Sequence, residues 1–174
     1  MFIPMLQVIL LGAIHHYQRQ QPFPISAYIE LGAQQRASYI GWVWKNIHSF
    51  SPQIIFDEMD LAECDYKFVE SGAPWVYMDV PEHVRQIFGM TATRTEETIL
   101  IPDIDEPREK YWLSLVEQMV IACEVSKVMI ICGAAHLDSF GTKLRERGHR
   151  VTNFDIRQEG WYDDRWLRPA SEAR

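Results

Sequence analysis

Two segments of this chain repeat one pattern, in which an apolar run ends in Gly-x-x-His. Gln7–Leu11 leads into Gly12-Ala13-Ile14-His15, and Val128–Cys132 leads into Gly133-Ala134-Ala135-His136. A short apolar run rich in β-branched residues is typical of a buried strand, and the glycine after it of a turn. If the two strands are parallel, both imidazoles lie at the carboxyl edge of one sheet, where open α/β sheets bind their ligands.

The rest of the chain alternates between predicted strands and predicted helices. Further strands are expected at 52–56, 75–78 and 151–154, and helices at about 28–50, from 107 onwards and at 137–147. Such alternation predicts a single α/β domain in three layers, with helices on both faces of a mostly parallel or mixed central sheet. Residues 155–174 form a polar tail, and its Trp161 and Trp166 predict that it docks on the domain.

The helix spacings predict which residues face the sheet. In the helix at 28–50 the recurring residues are Ala33, Ala37, Ile40, Trp44 and Ile47. The later helix has Asp105 and Glu106 as capping carboxylates and Pro107 in its first turn, and then an apolar stripe from Trp112 to Cys123. Two weaker predictions are a short helix at 61–71 and a short strand at 98–101.

The charge balance argues against two classes of partner, although a local basic patch around Arg145, Arg147 and Arg150 stays open. The chain of 174 residues has 17 Lys and Arg against 24 Asp and Glu, and a net charge of −7. Nucleic acid and anionic membrane surfaces are therefore not expected partners. No run approaches the roughly 20 apolar residues of a membrane span.

The three cysteines Cys64, Cys123 and Cys132 have no CxxC spacing, which favours a reducing compartment and predicts a cytoplasmic protein.

The predicted carboxyl edge gathers residues that can carry chemistry. It would collect His15, Glu58, Asp79 and His136, and the start of a helix could bring Arg108 and Glu109 to the same place. With His15, Glu58 and His136 as ligands, the site could hold a divalent transition metal, Mn, Co or Zn, with a position left for water. Without a metal, one histidine could act as general base while Arg108 stabilises an oxyanion. Both routes end in hydrolysis.

Less specific interpretations apply to several of these residues. A histidine after a strand is commonly a hydrogen-bonded turn residue, and that interpretation is kept for His16, His48, His83 and His149. Asp79 could simply cap the turn at Pro81, and composition alone places Arg108 and Glu109 on the surface. Cys132 and His136 could form a thiol–imidazole pair, but the apolar run favours an inert thiol. The roles of His16, Asp79 and Glu109 stay open.

The chain has no motif for a serine hydrolase or for nucleotide binding. It lacks Gly-x-Ser-x-Gly, the P-loop and Gly-x-Gly-x-x-Gly. Its two Gly-x-x-His motifs, the segment PQIIFDEM with Glu58 and the segment PREKYW with Arg108 instead resemble the TraB/PrgY–TIKI superfamily. That superfamily is related to erythromycin esterases and to ChaN-like haem-binding proteins. The resemblance extends from Gln7 to Val151 and implies a compact α/β fold with a site of two His, one Glu and one Arg.

The resemblance also implies a range of activities. Relatives include metal-dependent proteases, esterases proposed to work without metal, and haem-binding proteins. The expected function is therefore hydrolysis of an ester or amide bond in a small-molecule or peptide substrate. The alternative is a non-catalytic protein that binds haem or another small molecule at the same site. Assembly as a homo-oligomer is left open.

Overall fold

Five parallel strands form one sheet. The computed structural model describes residues 5–14, 29–59, 71–87 and 102–163, and every structural statement below concerns these. The strands are β1 Gln7–Ala13, β2 Ile54–Asp57, β3 Trp75–Tyr77, β4 Lys127–Gly133 and β5 Arg150–Asp155. Their order is β3-β2-β4-β1-β5, and every described pairing is parallel. The predicted α/β fold with a parallel sheet is confirmed.

Four α-helices accompany the described strands. They are α1 Ile29–Phe50, α2 Glu82–Ile87, α3 Pro102–Cys123 and α4 Leu137–Glu146, and short 3₁₀ turns follow β4 and β5. In the described part of the chain, no helix combines the length and apolarity needed to cross a membrane. The predicted strand at 98–101 and nearly all of the predicted helix at 61–71 fall outside the described residues, as do 164–174.

Each face of the sheet packs against its own hydrophobic core. Ile9, Leu11 and Ile131 belong to a cluster that also contains the buried residues of α1. Val8, Leu10 and Ile130 belong to a second cluster with the buried residues of α3 and α4. Because successive strand residues point to opposite faces, one run of apolar residues serves both cores. Helices therefore cover the sheet on both faces, in three layers.

The buried face of α1 differs from the one predicted. Ala33 and Ala37 are exposed, while Ile40 and Trp44 are only partly buried. The buried face instead contains two polar residues among four apolar ones, namely Gln35, Tyr39, Trp42, Val43, Asn46 and Ile47. The prediction is confirmed at Ile47 only. The polar pair interrupts the apolar spacing, and this is why a search for apolar residues alone missed the rest of the buried face.

The segment after β5 packs against α1. Trp161 and Tyr162 contact the core cluster beneath that helix, and Ile156 is fully buried. Gln35 donates its side-chain amide to the Trp161 carbonyl, and Trp42 Nε1 donates to Glu159 Oε1 at 2.8 Å. These two partly buried hydrogen bonds give the amide and indole donors of α1 their acceptors on this side.

Helix α3 begins five residues before the predicted first turn. It starts at Pro102, so Pro107 lies in the second turn and Asp105 is not a capping residue. The prediction was wrong because Pro102 suits the first helical position equally well, since the first N–H groups of a helix have no partner within it. The additional turn carries Asp105 onto the buried side, where it is 2% exposed.

The glycines of the two Gly-x-x-His segments lie at the carboxyl ends of neighbouring parallel strands, Gly12 in β1 and Gly133 in β4, rather than in turns after them. Strands β1 and β4 pair in a register that places Gly12 beside Cys132 and Ala13 beside Gly133. A Cβ atom built on Gly12 would lie 2.4 Å from Leu137 Cδ1 and 3.1 Å from the Ala134 backbone. The glycine of the first motif therefore makes room for the turn and helix of the second.

Candidate functional site

The carboxyl ends of three neighbouring strands meet the first turns of α3. Glu58 directly follows β2, Asp79 follows β3 and His136 follows β4 in the 3₁₀ turn. Helix α3 adds three residues from one side. We call these six side chains the edge cluster, and each is at most 6% exposed: Glu58, Asp79, Asp105, Arg108, Glu109 and His136.

Arg108 lies at the centre of the edge cluster. Its Nη2 is 2.6 Å from Glu58 Oε1, its Nε is 3.0 Å from Asp79 Oδ1, and its Nη1 is 3.2 Å from Asp105 Oδ1. Burial lowers the pKa of Arg108, but the charges and hydrogen bonds of Glu58 and Asp79 outweigh that effect and raise it above its usual value. The guanidinium is thus a permanent cation shared by three carboxylates.

Glu58 and Asp79 have additional donors that fix them. Glu58 Oε2 accepts the backbone N–H of Gly133 at 2.7 Å, which ties the end of β2 to the second Gly-x-x-His turn. Asp79 accepts from Arg85 Nη1 at 2.9 Å and from Trp112 Nε1 at 3.1 Å. Asp79 therefore joins the end of β3 to α2 and α3, which is more than a cap on the turn at Pro81.

His136 is held on one side by a carboxylate. Its Nδ1 lies 2.7 Å from Glu109 Oε1, which also accepts from Ser139 Oγ at 2.5 Å, and Lys143 Nζ is 2.8 Å from Glu109 Oε2. Burial raises the pKa of Glu109, but the hydrogen bonds from His136, Lys143 and Ser139 lower it by more. The pKa of Glu109 is therefore below its usual value. An ionised Glu109 only accepts, so we assign the Nδ1 proton to His136.

The other ring nitrogen of His136 faces the centre of the edge cluster. Nε2 is buried and has no hydrogen-bond partner among the described residues. The carboxylate oxygens nearest to it in the described ion pairs are Asp105 Oδ1 at 3.9 Å and Glu58 Oε1 at 4.0 Å. In neutral His136 with its proton on Nδ1, Nε2 has a free lone pair. That lone pair can accept a proton or bind a metal ion.

Three of the four predicted catalytic residues come together here. Glu58, Arg108 and His136 all belong to the edge cluster. His15 lies outside the described residues, so its proximity to His136 stays a prediction. The parallel pairing of β1 with β4 supports that prediction, because it places the strand before His15 beside the strand before His136.

The metal ligand set cannot be completed from the described residues. Within residues 5–14, 29–59, 71–87 and 102–163, no group of three or more His, Cys, Asp and Glu side chains is arranged to hold a metal ion. Glu58 and His136 supply two of the predicted ligands, 4.0 Å apart. Binding of Mn, Co or Zn thus depends on His15 and stays a prediction.

Two residues of the edge cluster have roles that the sequence reasoning did not assign. Asp105 and Glu109 are buried, and so is Arg108, although composition alone favours the surface for Arg108 and Glu109. The helical spacing of these residues is the sequence signal that could have indicated their burial. Positions 105, 108 and 109 continue the stripe of Trp112 toward the start of α3. A polar extension of a buried apolar stripe therefore marked the site.

The remaining described histidines and Cys132 lie outside this chemistry. His48 and His83 are exposed. His149 is buried directly before β5, and its Nδ1 accepts the Leu6 N–H at 3.4 Å. Cys132 is fully buried, and burial raises the pKa of its thiol well above the usual value. A neutral buried thiol is a poor nucleophile, which argues against the thiol–imidazole pair.

Similarity to known proteins does not add to this description. The chain matches no protein-family model, and none of the curated proteins or solved structures matches it significantly.

Proposed function

We propose that this protein hydrolyses an ester or amide bond, with His136 as the general base. The observation that carries the proposal is the asymmetry of His136. Glu109 holds its Nδ1 at 2.7 Å, while its buried Nε2 faces Glu58 and Asp105 without a hydrogen-bond partner among the described residues. A base needs this combination of a fixed ring and an available lone pair.

The reaction would begin with a proton transfer to His136. A water molecule gives one proton to Nε2 while its oxygen bonds to the carbonyl carbon of the substrate, and the carbonyl electron pair moves to the carbonyl oxygen. When that pair re-forms the double bond, the ester C–O or amide C–N bond breaks. His136 then returns the proton to the leaving group. Glu109 stays ionised throughout and stabilises the imidazolium.

The carboxylates of the edge cluster would orient the water and favour the charged base. Glu58 Oε1 and Asp105 Oδ1 lie 4.0 and 3.9 Å from Nε2, so a water that donates to Nε2 can donate its second proton to either oxygen. Their negative charge also stabilises the imidazolium that forms. We assign Arg108 to holding these carboxylates in place, since its guanidinium contacts Glu58, Asp79 and Asp105.

A divalent metal would be a second way to use the same edge. Glu58 and His136 offer one carboxylate and one imidazole, donors that suit Mn, Co or Zn, and His15 would be the third ligand. Such an ion would acidify a bound water and polarise a carbonyl. The route through His136 as base needs only residues of the edge cluster, and we therefore favour it.

A panel of esters and peptides, assayed with added Mn, Co or Zn and with a chelator, tests the proposal. We expect turnover that survives the chelator. His136→Gln should lower it by about 10²–10⁴-fold, the usual contribution of a general base. The matched control is His149→Gln, which changes a buried histidine away from the edge cluster and should retain turnover.

Two results would contradict the proposed function. Full turnover by His136→Gln would exclude His136 as the base. A strong Soret band after addition of haem, without turnover of any substrate in the panel, would favour the alternative of a haem-binding protein. Loss of turnover with the chelator and its recovery with one metal would move the assignment to the metal-assisted route.

A further inference from the structure

One face of α4 surrounds the carboxylate of Glu109. His136 immediately precedes the helix. Ser139 and Lys143 lie within it, three and seven residues after His136. That spacing places all three on one side of the helix. Their contacts to Glu109 are His136 Nδ1 at 2.7 Å, Ser139 Oγ at 2.5 Å and Lys143 Nζ at 2.8 Å. The helix that presents the base also presents the groups that hold its carboxylate partner.

Lys143 is the charged member of this set. It bridges two residues one turn apart on α3, with Nζ 2.7 Å from Glu106 Oε2 and 2.8 Å from Glu109 Oε2. Its side chain is only 18% exposed, whereas Glu106 is 45% exposed and Glu109 is 1% exposed. Lys143 thus reaches from the surface to a carboxylate that solvent does not contact.

The two carboxylate oxygens of Glu109 have different hydrogen-bond partners. Oε1 receives His136 and Ser139, and Lys143 is the described partner of Oε2. Without Lys143, Oε2 would be a buried carboxylate oxygen with no described partner, a costly arrangement. Rotation of the carboxylate toward solvent would relieve that cost, and it would also withdraw Oε1 from the imidazole of His136.

We propose that Lys143 is a positioning residue, which holds Glu109 so that His136 keeps its proton on Nδ1 and its lone pair on Nε2. This inference rests on the proposed function for its effect on turnover. Its effect on the imidazole is independent of any substrate. Lys143 itself does not contact the reacting atoms and acts through Glu109.

Lys110 provides a matched control on α3. It pairs with Glu106, with Nζ 3.2 Å from Oε1, but its side chain is 68% exposed, and its described ion pair is with Glu106 alone. Lys110→Met and Lys143→Met remove the same charge from the same Glu106. The described contact to Glu109 is lost only in Lys143→Met, so a difference between the two variants reports on Glu109.

The experiment is nitrogen-15 NMR of the His136 side chain, together with steady-state kinetics. In the wild type and in Lys110→Met we expect a protected, downfield Nδ1 proton. In Lys143→Met we expect that signal to be lost by exchange, with kcat lower by about 10–100-fold and KM little changed. Lys143→Arg should recover both the Nδ1 proton signal and kcat in part, because it restores a cation. Ser139→Ala should act in the same direction, more weakly.

The outcomes separate this inference from the proposed function. An unchanged Nδ1 proton in folded Lys143→Met would overturn the positioning role. Should Lys143→Met not fold, Lys143→Gln, which also removes the charge but keeps a polar end, carries the same test. If no variant and no wild-type sample hydrolyses any substrate, the proposed function fails while the NMR result still decides the role of Lys143.

Discussion

Arg108 Nη2 lies 2.6 Å from Glu58 Oε1, and both side chains are almost completely excluded from solvent. This short contact joins the second turn of α3 to the end of β2. The same guanidinium reaches Asp79 and Asp105, so one cation neutralises acidic groups from three parts of the chain. The structure of the edge cluster therefore depends on Arg108.

Removal of the Arg108 guanidinium should destabilise the fold. Arg108→Met leaves three buried carboxylates without their shared cation, and we expect a loss of about 3–5 kcal/mol in the free energy of unfolding, measured with denaturant. Arg108→Lys should recover little, because an ammonium cannot reproduce the planar fork. Arg85→Met is the control, since Arg85 is partly exposed, and it should cost about 1 kcal/mol or less. Equal costs for both Met variants would refute this view.

Enlargement of Gly12 should disturb the second motif. In Gly12→Ala the new methyl group would overlap the Leu137 side chain, and we expect a loss of about 1–3 kcal/mol in thermal or denaturant unfolding. Gly41→Ala in α1 is the matched control. Apart from the neighbouring backbone of its own helix, no atom lies within 4 Å of a Cβ at Gly41, so a gain of about 0.5–1 kcal/mol is expected. A neutral Gly12→Ala would show that Leu137 moves aside freely.

Stability should depend on pH through His149. Burial lowers the pKa of His149 from its usual 6.5, with Glu117 raising it and Arg147 lowering it further. The folded state thus binds this proton less readily than the unfolded state. Its contribution to stability is complete above pH 6.5 and is lost as the pH falls through the lowered folded value.

Unfolding of the wild type and of His149→Asn between pH 7.5 and pH 5 measures that contribution. The asparagine retains an acceptor for the Leu6 N–H but cannot be protonated. We therefore expect the stability of the wild type to fall more steeply with acid than that of the variant. Parallel curves would mean that His149 has the same pKa in both states.

The two described cysteines should differ in reactivity toward a thiol reagent. Cys123 is exposed and Cys132 is buried. Cys123→Ala should remove a rapidly reacting thiol from the native protein, whereas Cys132→Ala should leave the rapid phase unchanged and retain any turnover. Rapid labelling of Cys132, or loss of turnover in Cys132→Ala, would revive the thiol–imidazole interpretation.

The sheet could be predicted from sequence because its signals are local. Four of the five described strands are short apolar runs, and the Gly-x-x-His pattern at the end of two such runs indicated a shared edge. Strand β5 is the exception, since it reads RVTNFD. The buried face of α1 could not be predicted in the same way. Gln35 and Asn46 are buried because they bond to the Trp161 and Trp42 carbonyls, and only the folded chain reveals the Trp161 partner.

In the candidate site, too, residues with a local sequence signal could be predicted and residues that depend on distant partners could not. Glu58 and His136 could be identified since Glu58 directly follows a strand and His136 lies in the short turn after one. Glu109 could be placed at the same edge beside Arg108, but its role could not be assigned, because that role depends on His136, Ser139 and Lys143. The start of α3 was also ambiguous. Both Pro102 and Pro107 fit a first turn, and the choice between them decides whether Asp105 faces the edge cluster.

The strand order has a consequence for how the chain is made. Strand β1 lies between β4 and β5, with Gln7 paired to Lys127 and to Arg150. During synthesis the first strand therefore emerges long before either neighbour exists, and its apolar residues stay unpaired until the last third of the described chain is complete. Such distant pairing slows folding and exposes strand edges to aggregation. Residues 7–13 would therefore be a persistent target for chaperones that shield nascent apolar segments.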